Sequence, residues 1–347
     1  MTARNAIRLA AGAMLLLAPA NVSGQSVPTD IPEMTLKVAD TFPPVGFVPI
    51  LSKEWAENIT KKTGGKVKFE YYPAEQLGKA KDMLSLTQSG VADIANVVPS
   101  FVPDKMPLSP VAELPLAEAV GCNGAMAYYH LVNTDSQLRK LDFDANRVRP
   151  LLVQNLPPYQ IFTAKKISSM KELQGMKIRV TGSAKSAVVQ RLGAVPVQIP
   201  TPEVREALSR GTVDGISFVY TSLYPYDLNP LVKTGTTDLN FGGWTSSYII
   251  SDRKWKSLPA DVQQVMTTLA EKYSRQNCEK VMTDDVRDRD RLVQGGMSLL
   301  RLTQAEKADF EAKTRDVAEQ WAADLDKRGK AGSVVLKEYR DQLAKKN

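Results

Sequence analysis

The stretch Lys171-Glu-Leu-Gln-Gly-Met-Lys-Ile-Arg179-Val-Thr-Gly-Ser183 decides how the chain reads. A polar loop runs into a short apolar strand, and the strand ends in a Thr-Gly-Ser turn. Arg179 therefore stands near the carboxyl end of a strand, just before a glycine. Open α/β sheets bind their ligands at that edge. A guanidinium there offers a rigid fork of donors that matches a carboxylate. The competing reading is a surface ion pair, which is what most arginines at strand ends make. The surrounding sequence has to decide.

Working toward the amino terminus, Met34 to Ala39 is a first strand, and Asp40-Thr41-Phe42 follows it. Leu51, Trp55 and Ile59 recur at helical spacing, and Gly64-Gly65 is the stop. Val67, Phe69 and Tyr71 alternate with charged residues in a half-buried strand. A helix ending at Ser89-Gly90 and a strand over Ala92 to Val98 complete a β-α-β-α-β rhythm, which implies a parallel sheet with right-handed crossovers. Pro99 to Pro115 reads as an ordered loop, followed by a helix from about Asn123 to Asn133, another near Ser136, and a strand from Val148 to Val153.

Gln154-Asn-Leu-Pro-Pro158 interrupts this pattern and reads as a first crossing into a second α/β unit. Its strands are expected at Ile161–Ala164, Lys177–Val180, Val195–Ile199 and Gly215–Val219, with helices at Ser183–Leu192 and Pro202–Arg210. Thr201-Pro202 reads as an N-cap with proline at the first helical position. A return crossing falls near Phe241-Gly-Gly-Trp244. Pro259 to about Gln294 is one helical pattern, roughly 50 Å at 1.5 Å per residue, long enough to tie two lobes together. A strand at Met297–Leu302 follows. Thr303-Gln-Ala-Glu306 is a capping box for a helix running to about Arg328, and a last helix covers Val334 to about Leu343. The expected fold is α/β and two-lobed, with a long helix spanning both lobes. The first lobe takes residues 33–156 and about 244–283; the second takes 157–243 and about 284–347.

Length and composition agree with two globular domains: 347 residues, 43% hydrophobic and 24% charged. Residues 1–24 read as a secretory signal, with Arg4 and Arg8 before the apolar run Leu9–Leu17 and small residues at Ala18, Ala20, Ser23 and Gly24. Cleavage after Ala20 and after Gly24 both fit. The run is far shorter than the ~20 residues of a membrane span, so a soluble, exported, periplasmic protein is expected. The net charge of +7 is spread without a basic block, which argues against nucleic acid. Cys122 and Cys278, the only cysteines, are either one disulfide or two buried thiols.

Enzyme chemistry finds little support. His130 is the only histidine, on a predicted amphipathic helix, so zinc-ligand spacings and a Ser-His-Asp triad lack material. No G-x-G-x-x-G or Walker A loop is present, and no cofactor or metal is expected. Paired acids such as Asp284-Asp285 fall on the long helix and read as a solvated face.

Taken together, the chain resembles the extracytoplasmic solute-binding subunits of TRAP transporters, from about residue 33 to 330. The likeness rests on Leu36-Lys-Val-Ala-Asp-Thr41, Gly64-Gly-Lys-Val-Lys-Phe-Glu-Tyr-Tyr-Pro-Ala-Glu-Gln-Leu-Gly78 and Gln88-Ser-Gly-Val-Ala-Asp-Ile94. It continues through Lys171–Gly182, the run Pro202–Gly215 ending in Val-Asp-Gly, and Trp255 with Leu258-Pro-Ala-Asp-Val-Gln263. The resemblance implies a periplasmic-binding-protein fold that closes around a small organic acid. It also implies delivery to a permease of small and large integral subunits. The Arg of the family's "KiRv" segment, which binds the ligand carboxylate, carries over to Arg179.

Departures from the family pattern suggest which acid. Phe218 stands where sugar-acid binders have the Asn of "DGxEN", Gln160 where a second Arg is usual, and Val98 and Phe101 where polar residues are usual. One carboxylate anchor with apolar company points to a ligand with one carboxylate and an aromatic or apolar body. Phe42, Phe101, Tyr159, Phe218, Tyr224 and Trp244 are the candidate aromatics, with core packing as the alternative for each; Thr41, Val98, Gln160 and Thr201 complete the candidate set. A sensing module that presents its closed form to a membrane receptor would have the same pocket. A periplasmic enzyme acting on carboxylated substrates fits less well.

Overall fold

The computed structural model describes residues 31–45 and 47–345, and side chains other than those of 47–51. The signal at residues 1–24 and the side chain of Leu51 lie outside the described residues.

The first unit opens with β1 (Met34–Ala39), α1 (Phe47–Lys62), β2 (Val67–Tyr72), α2 (Met83–Ser89) and β3 (Ile94–Val97). The segment after β3 is Pro-rich but ordered, with tight helical turns at Pro99–Phe101 and Ser109–Glu113. Then come α3 (Cys122–Asn133), irregular helical turns over 139–146, and β4 (Val148–Leu156). The second unit follows with β5 (Gln160–Thr163), β6 (Lys177–Val180), α4 (Ser183–Arg191), β7 (Val195–Gln198), α5 (Val204–Ser209) and β8 (Gly215–Phe218). It closes with the short α6 (Tyr220–Leu223) and β9 (Thr234–Thr236). The chain then returns as β10 (Trp244–Ser251) and α7 (Asp252–Ser257), and the 35-residue α8 (Ala260–Gln294) leads to β11 (Ser298–Leu300). Three helices end it: α9 (Gln304–Thr314), α10 (Val317–Lys327) and α11 (Gly332–Leu343).

Two sheets result, ordered β2-β1-β3-β10-β4 and β11-β9-β5-β8-β6-β7. The β-α rhythm correctly gives β2-β1-β3 as parallel neighbours. The expectation of a purely parallel sheet needs correction, because β10 inserts antiparallel between β3 and β4. Its sequence, Trp-Thr-Ser-Ser-Tyr-Ile-Ile-Ser, falls where the sequence reading assigns only a crossing. β5 likewise runs antiparallel to β8 and β9, so the second sheet is mixed.

Two short segments link the sheets, one from Leu156 to Gln160 and one from Thr236 to Trp244. They are bonded to each other: Tyr159 N donates to the Gly242 carbonyl at 2.9 Å, and Phe241 N to the Tyr159 carbonyl at 3.4 Å. The long helix starts on the first sheet and ends against the second unit. Asn58 Nδ2 donates to the Tyr273 hydroxyl (2.6 Å), Val153 N donates to Ser274 Oγ (3.0 Å), and Thr221 N donates to Asp285 Oδ1 (2.9 Å). The cysteines form a disulfide, Cys122–Cys278, which joins α3 to the middle of α8.

Two elements near the carboxyl terminus differ from expectation. The capping box forms as read, with Thr303 and Glu306 bonded reciprocally. The helix it opens stops at Thr314, however, and restarts at Val317. At this break Arg191 of α4 donates to the Lys313 carbonyl (3.0 Å) and pairs with Asp316, so the turn is held from outside. α11, grouped by sequence with the second lobe, packs on α10 and also on α3 of the first unit. Tyr339 OH donates to the Gly124 carbonyl (3.2 Å) and Asn123 Nδ2 to the Leu343 carbonyl (3.2 Å).

Candidate functional site

β6 lies between β8 and β7, with Arg179 in register with Ile216 and Val197. Neighbours on both sides bury the strand's last three residues, and Arg179 has no exposed surface. A buried guanidinium is costly unless its donors are satisfied. Nε donates to the Ile199 carbonyl (2.8 Å), Nη2 to Thr201 Oγ1 (3.1 Å), and Nη1 to the Ser217 carbonyl (3.4 Å). Guanidinium carries five N–H donors. Two remain, one on each terminal nitrogen, with no acceptor among the described residues. Burial lowers the pKa from its ordinary value to about 10, so the group is still a cation at neutral pH. No carboxylate of the described residues pairs with it.

The Thr201 hydroxyl is thereby reassigned. The sequence reading makes it a helix cap, but it caps no backbone N–H and instead accepts from Arg179. The first turn over Thr201–Glu203 is a tight 3-10 turn that leads into α5.

Phe218, the last residue of β8, is the aromatic hub. The Arg179 guanidinium carbon lies 5.4 Å from its ring centroid, within cation–π reach. Tyr159 and Tyr226 meet the same ring edge-on, at 6.0 and 5.7 Å. Phe42 packs edge-on against Trp244 at 5.5 Å, and both are buried. Thr41 and Val98 are buried after β1 and β3, whereas Phe101 is only half-buried against the core. Thr41 Oγ1, Thr181 Oγ1, Ser217 Oγ and the Tyr226 hydroxyl are buried polar atoms without a hydrogen-bond partner among the described residues.

Two further candidates make other contacts. Gln160 is spent on structure: its Nε2 donates to the Leu239 carbonyl (2.7 Å) and its Oε1 accepts from Thr236 Oγ1 (2.9 Å). Side chains alternate along a strand, and Gln160 lines a separate cleft of about 470 Å³ with Leu239, Tyr220 and Phe310. Tyr224 faces the long helix, its ring stacked under the Arg291 guanidinium at 4.1 Å.

The sequence reading misses Tyr226, two residues beyond Tyr224, and the buried pair Lys185–Glu113 (2.8 Å). Lys185 Nζ also donates to the Gly243 carbonyl (2.5 Å) and lies 5.0 Å from the Tyr159 ring centroid, while Ser100 Oγ donates to Glu113 Oε1 (2.7 Å). Gly242 makes this approach possible: its φ is +99°, and a Cβ there would lie 2.5 Å from the Glu113 carbonyl oxygen. Behind β1, Asp40 is buried and accepts from Phe42 N (3.0 Å), Asn96 Nδ2 (3.4 Å), Tyr71 OH (2.8 Å) and Tyr248 OH. Burial raises its pKa against the pull of these bonds.

Among the described residues, no His, Cys, Asp and Glu group is arranged to hold a metal ion, and no helix is long and apolar enough to cross a membrane. The architecture matches solved TRAP solute-binding proteins. One, from an unidentified marine microbe, is specific for aromatic acid ligands and was solved with metahydroxyphenylacetate. It is 25% identical and superimposes with a TM-score of 0.83 over 90% of this chain and 99% of that one. Another, from Rhodoferax ferrireducens and solved with copurified benzoate, shares the fold at 24% identity and a TM-score of 0.82, over 90% and 98% of the two chains. In sequence, the outer membrane transporter protein TsaT of Comamonas testosteroni is 24% identical over 300 residues, 85% of this chain and 87% of that one. The family model for bacterial extracellular solute-binding protein family 7 (DctP) matches residues 49–324, and the chain belongs to that family, the solute-binding proteins of TRAP transporters.

Proposed function

We propose that this protein captures a small monocarboxylate with an aromatic or apolar body between its two lobes and delivers it to the membrane subunits of a TRAP permease. The observation that carries the ligand class is Arg179: a buried cation with two unused donors, no carboxylate partner among the described residues, and Phe218 beneath it. A ligand carboxylate would satisfy the fork, and an aromatic body suits Phe218, Tyr159 and the Phe42–Trp244 pair. The aromatic acids held by the two similar structures support this reading.

The lobes on this reading are residues 33–156 with about 244–283, and 157–243 with about 284–330, with α11 returned to the first lobe by its contacts with α3. Thr41, Phe42 and Val98 contribute from the first lobe; Tyr159, Arg179, Thr201 and Phe218 contribute from the second. A ligand that touches both lobes favours the closed state by its differential affinity for it. An amino-terminal signal over residues 1–24 would export the chain to the periplasm.

Native mass spectrometry of the purified mature protein, with identification of any co-purifying small molecule, tests this. A stoichiometric aromatic or aliphatic monocarboxylate is the expected result. A dicarboxylate or sugar acid would overturn the ligand class while leaving the transport role in place. An empty protein would be screened against organic acids by thermal shift.

A further inference from the structure

Tyr226 is half-buried as a residue, yet its hydroxyl oxygen is enclosed and has no hydrogen-bond partner among the described residues. A buried hydroxyl left unpaired costs free energy, so each such group calls for an explanation. The position of the ring supplies one. Tyr226 meets Phe218 edge-on at 5.7 Å, an interplanar angle of 76°, and Arg179 lies over that same Phe218 ring at 5.4 Å. Phe218 thus packs against both the phenol ring and the guanidinium. After burial, the charges of Tyr159 and Tyr226 raise the pKa of Arg179, while Asp40 and Tyr159 raise that of Tyr226 and Arg179 lowers it. Burial nevertheless holds the phenol well above its usual range, so it keeps its proton and is an O–H donor.

We propose that the Tyr226 hydroxyl is a further donor to the ligand carboxylate, set beside the two free N–H groups of Arg179, and that it selects for a carboxylate over a neutral isostere. The inference rests on the reading of Arg179 as the carboxylate anchor. A carboxylate offers about four lone-pair sites on two oxygens, enough for the fork and the phenol together. A primary amide offers one acceptor oxygen and turns an NH₂ toward the other donors. The site would therefore bind an acid tightly and its amide poorly. The loop from α6 to Leu228, which carries Tyr226, becomes part of the specificity machinery.

The test is calorimetric titration with sodium benzoate and with benzamide on the wild-type protein, Tyr226→Phe and Arg179→Met. Tyr226→Phe retains the ring on Phe218 and removes only the oxygen. Benzoate affinity is expected to fall about tenfold in Tyr226→Phe, the scale of one hydrogen bond to a charged group. Benzamide binding should stay the same, and the melting temperature of the ligand-free variant should not drop. That combination separates a ligand contact from a merely structural role. Benzoate affinity within twofold of wild type in Tyr226→Phe, together with loss of binding in Arg179→Met, would overturn the role of Tyr226 and leave the anchor standing. Full benzoate affinity in Arg179→Met would overturn the anchor and this inference with it. A wild-type protein that does not bind benzoate would overturn this inference while leaving the transport role and an aliphatic monocarboxylate in place.

Discussion

Lys185 and Glu113 form a 2.8 Å ion pair with both side chains buried, and they come from different units of the chain. Glu113 ends a tight turn of the first unit, and Lys185 sits in the first turn of α4 in the second. Burial pulls the Lys185 pKa down while Glu113 pushes it back up, and burial wins. Removing one partner strands the other charge in the interior. Glu113→Gln is therefore expected to destabilise the protein by about 3–5 kcal/mol, and the double replacement with Lys185→Met should recover part of the loss. Urea unfolding of both variants checks this.

Arg179→Lys preserves the charge but not the fork. An ammonium cannot reproduce the bonds to Ile199, Thr201 and Ser217 while presenting two parallel donors. Affinity for the bound acid should fall by about 2–5 kcal/mol, the range for truncating one member of a buried charge pair. Calorimetry with the identified acid checks it, and affinity equal to wild type would remove Arg179 from the site.

The Cys122–Cys278 disulfide closes a loop with a sequence separation of 156. A cross-link over so long a loop constrains the unfolded chain strongly. The double Cys→Ser variant should lose about 2–5 kcal/mol. Equal unfolding midpoints for the variant and the oxidised protein would contradict this.

Asp142 predicts a pH dependence. Its Oδ2 accepts from Leu108 N (3.0 Å) and Ser109 N (2.6 Å), but Oδ1 is buried without a partner among the described residues. Burial pushes the pKa to about 7 despite these bonds. The folded protein thus retains a proton that the unfolded chain releases near pH 4. Its contribution to stability is complete below that pH and is lost as the pH rises toward 7, on the order of 2–4 kcal/mol. Asp142→Asn should flatten this slope when unfolding is measured at pH 5 and pH 7.5.

Much of this architecture is legible in sequence because it is written in local periodicity. The alternation Val67-Phe69-Tyr71, the left-handed stop at Gly90 and the Thr303–Glu306 capping box need only neighbouring residues to be read. Arg179 and Phe218 are legible as residues at strand ends, where ligand edges lie. The rest depends on what arrives from far away in the chain. Lys185 in a helix normally reads as solvated, and only Glu113, 72 residues earlier, draws it inside. Thr201 before a proline reads as a cap until Arg179 claims its hydroxyl. Tyr224 and Tyr226 cannot be ranked by spacing, since the loop decides which ring turns inward. Gln160 is withdrawn from the site by Thr236 and Leu239, which it meets only through sheet pairing.

The place of β10 bears on how the molecule is made. Translation delivers β1 to β4 first, but the gap between β3 and β4 stays open until Trp244–Ser251 emerges, after nearly the whole second unit. Until then the paired faces of Ile94–Val97 and Val148–Leu156 have no common neighbour. The first lobe cannot be completed early, nor cut out as a contiguous fragment ending at Leu156.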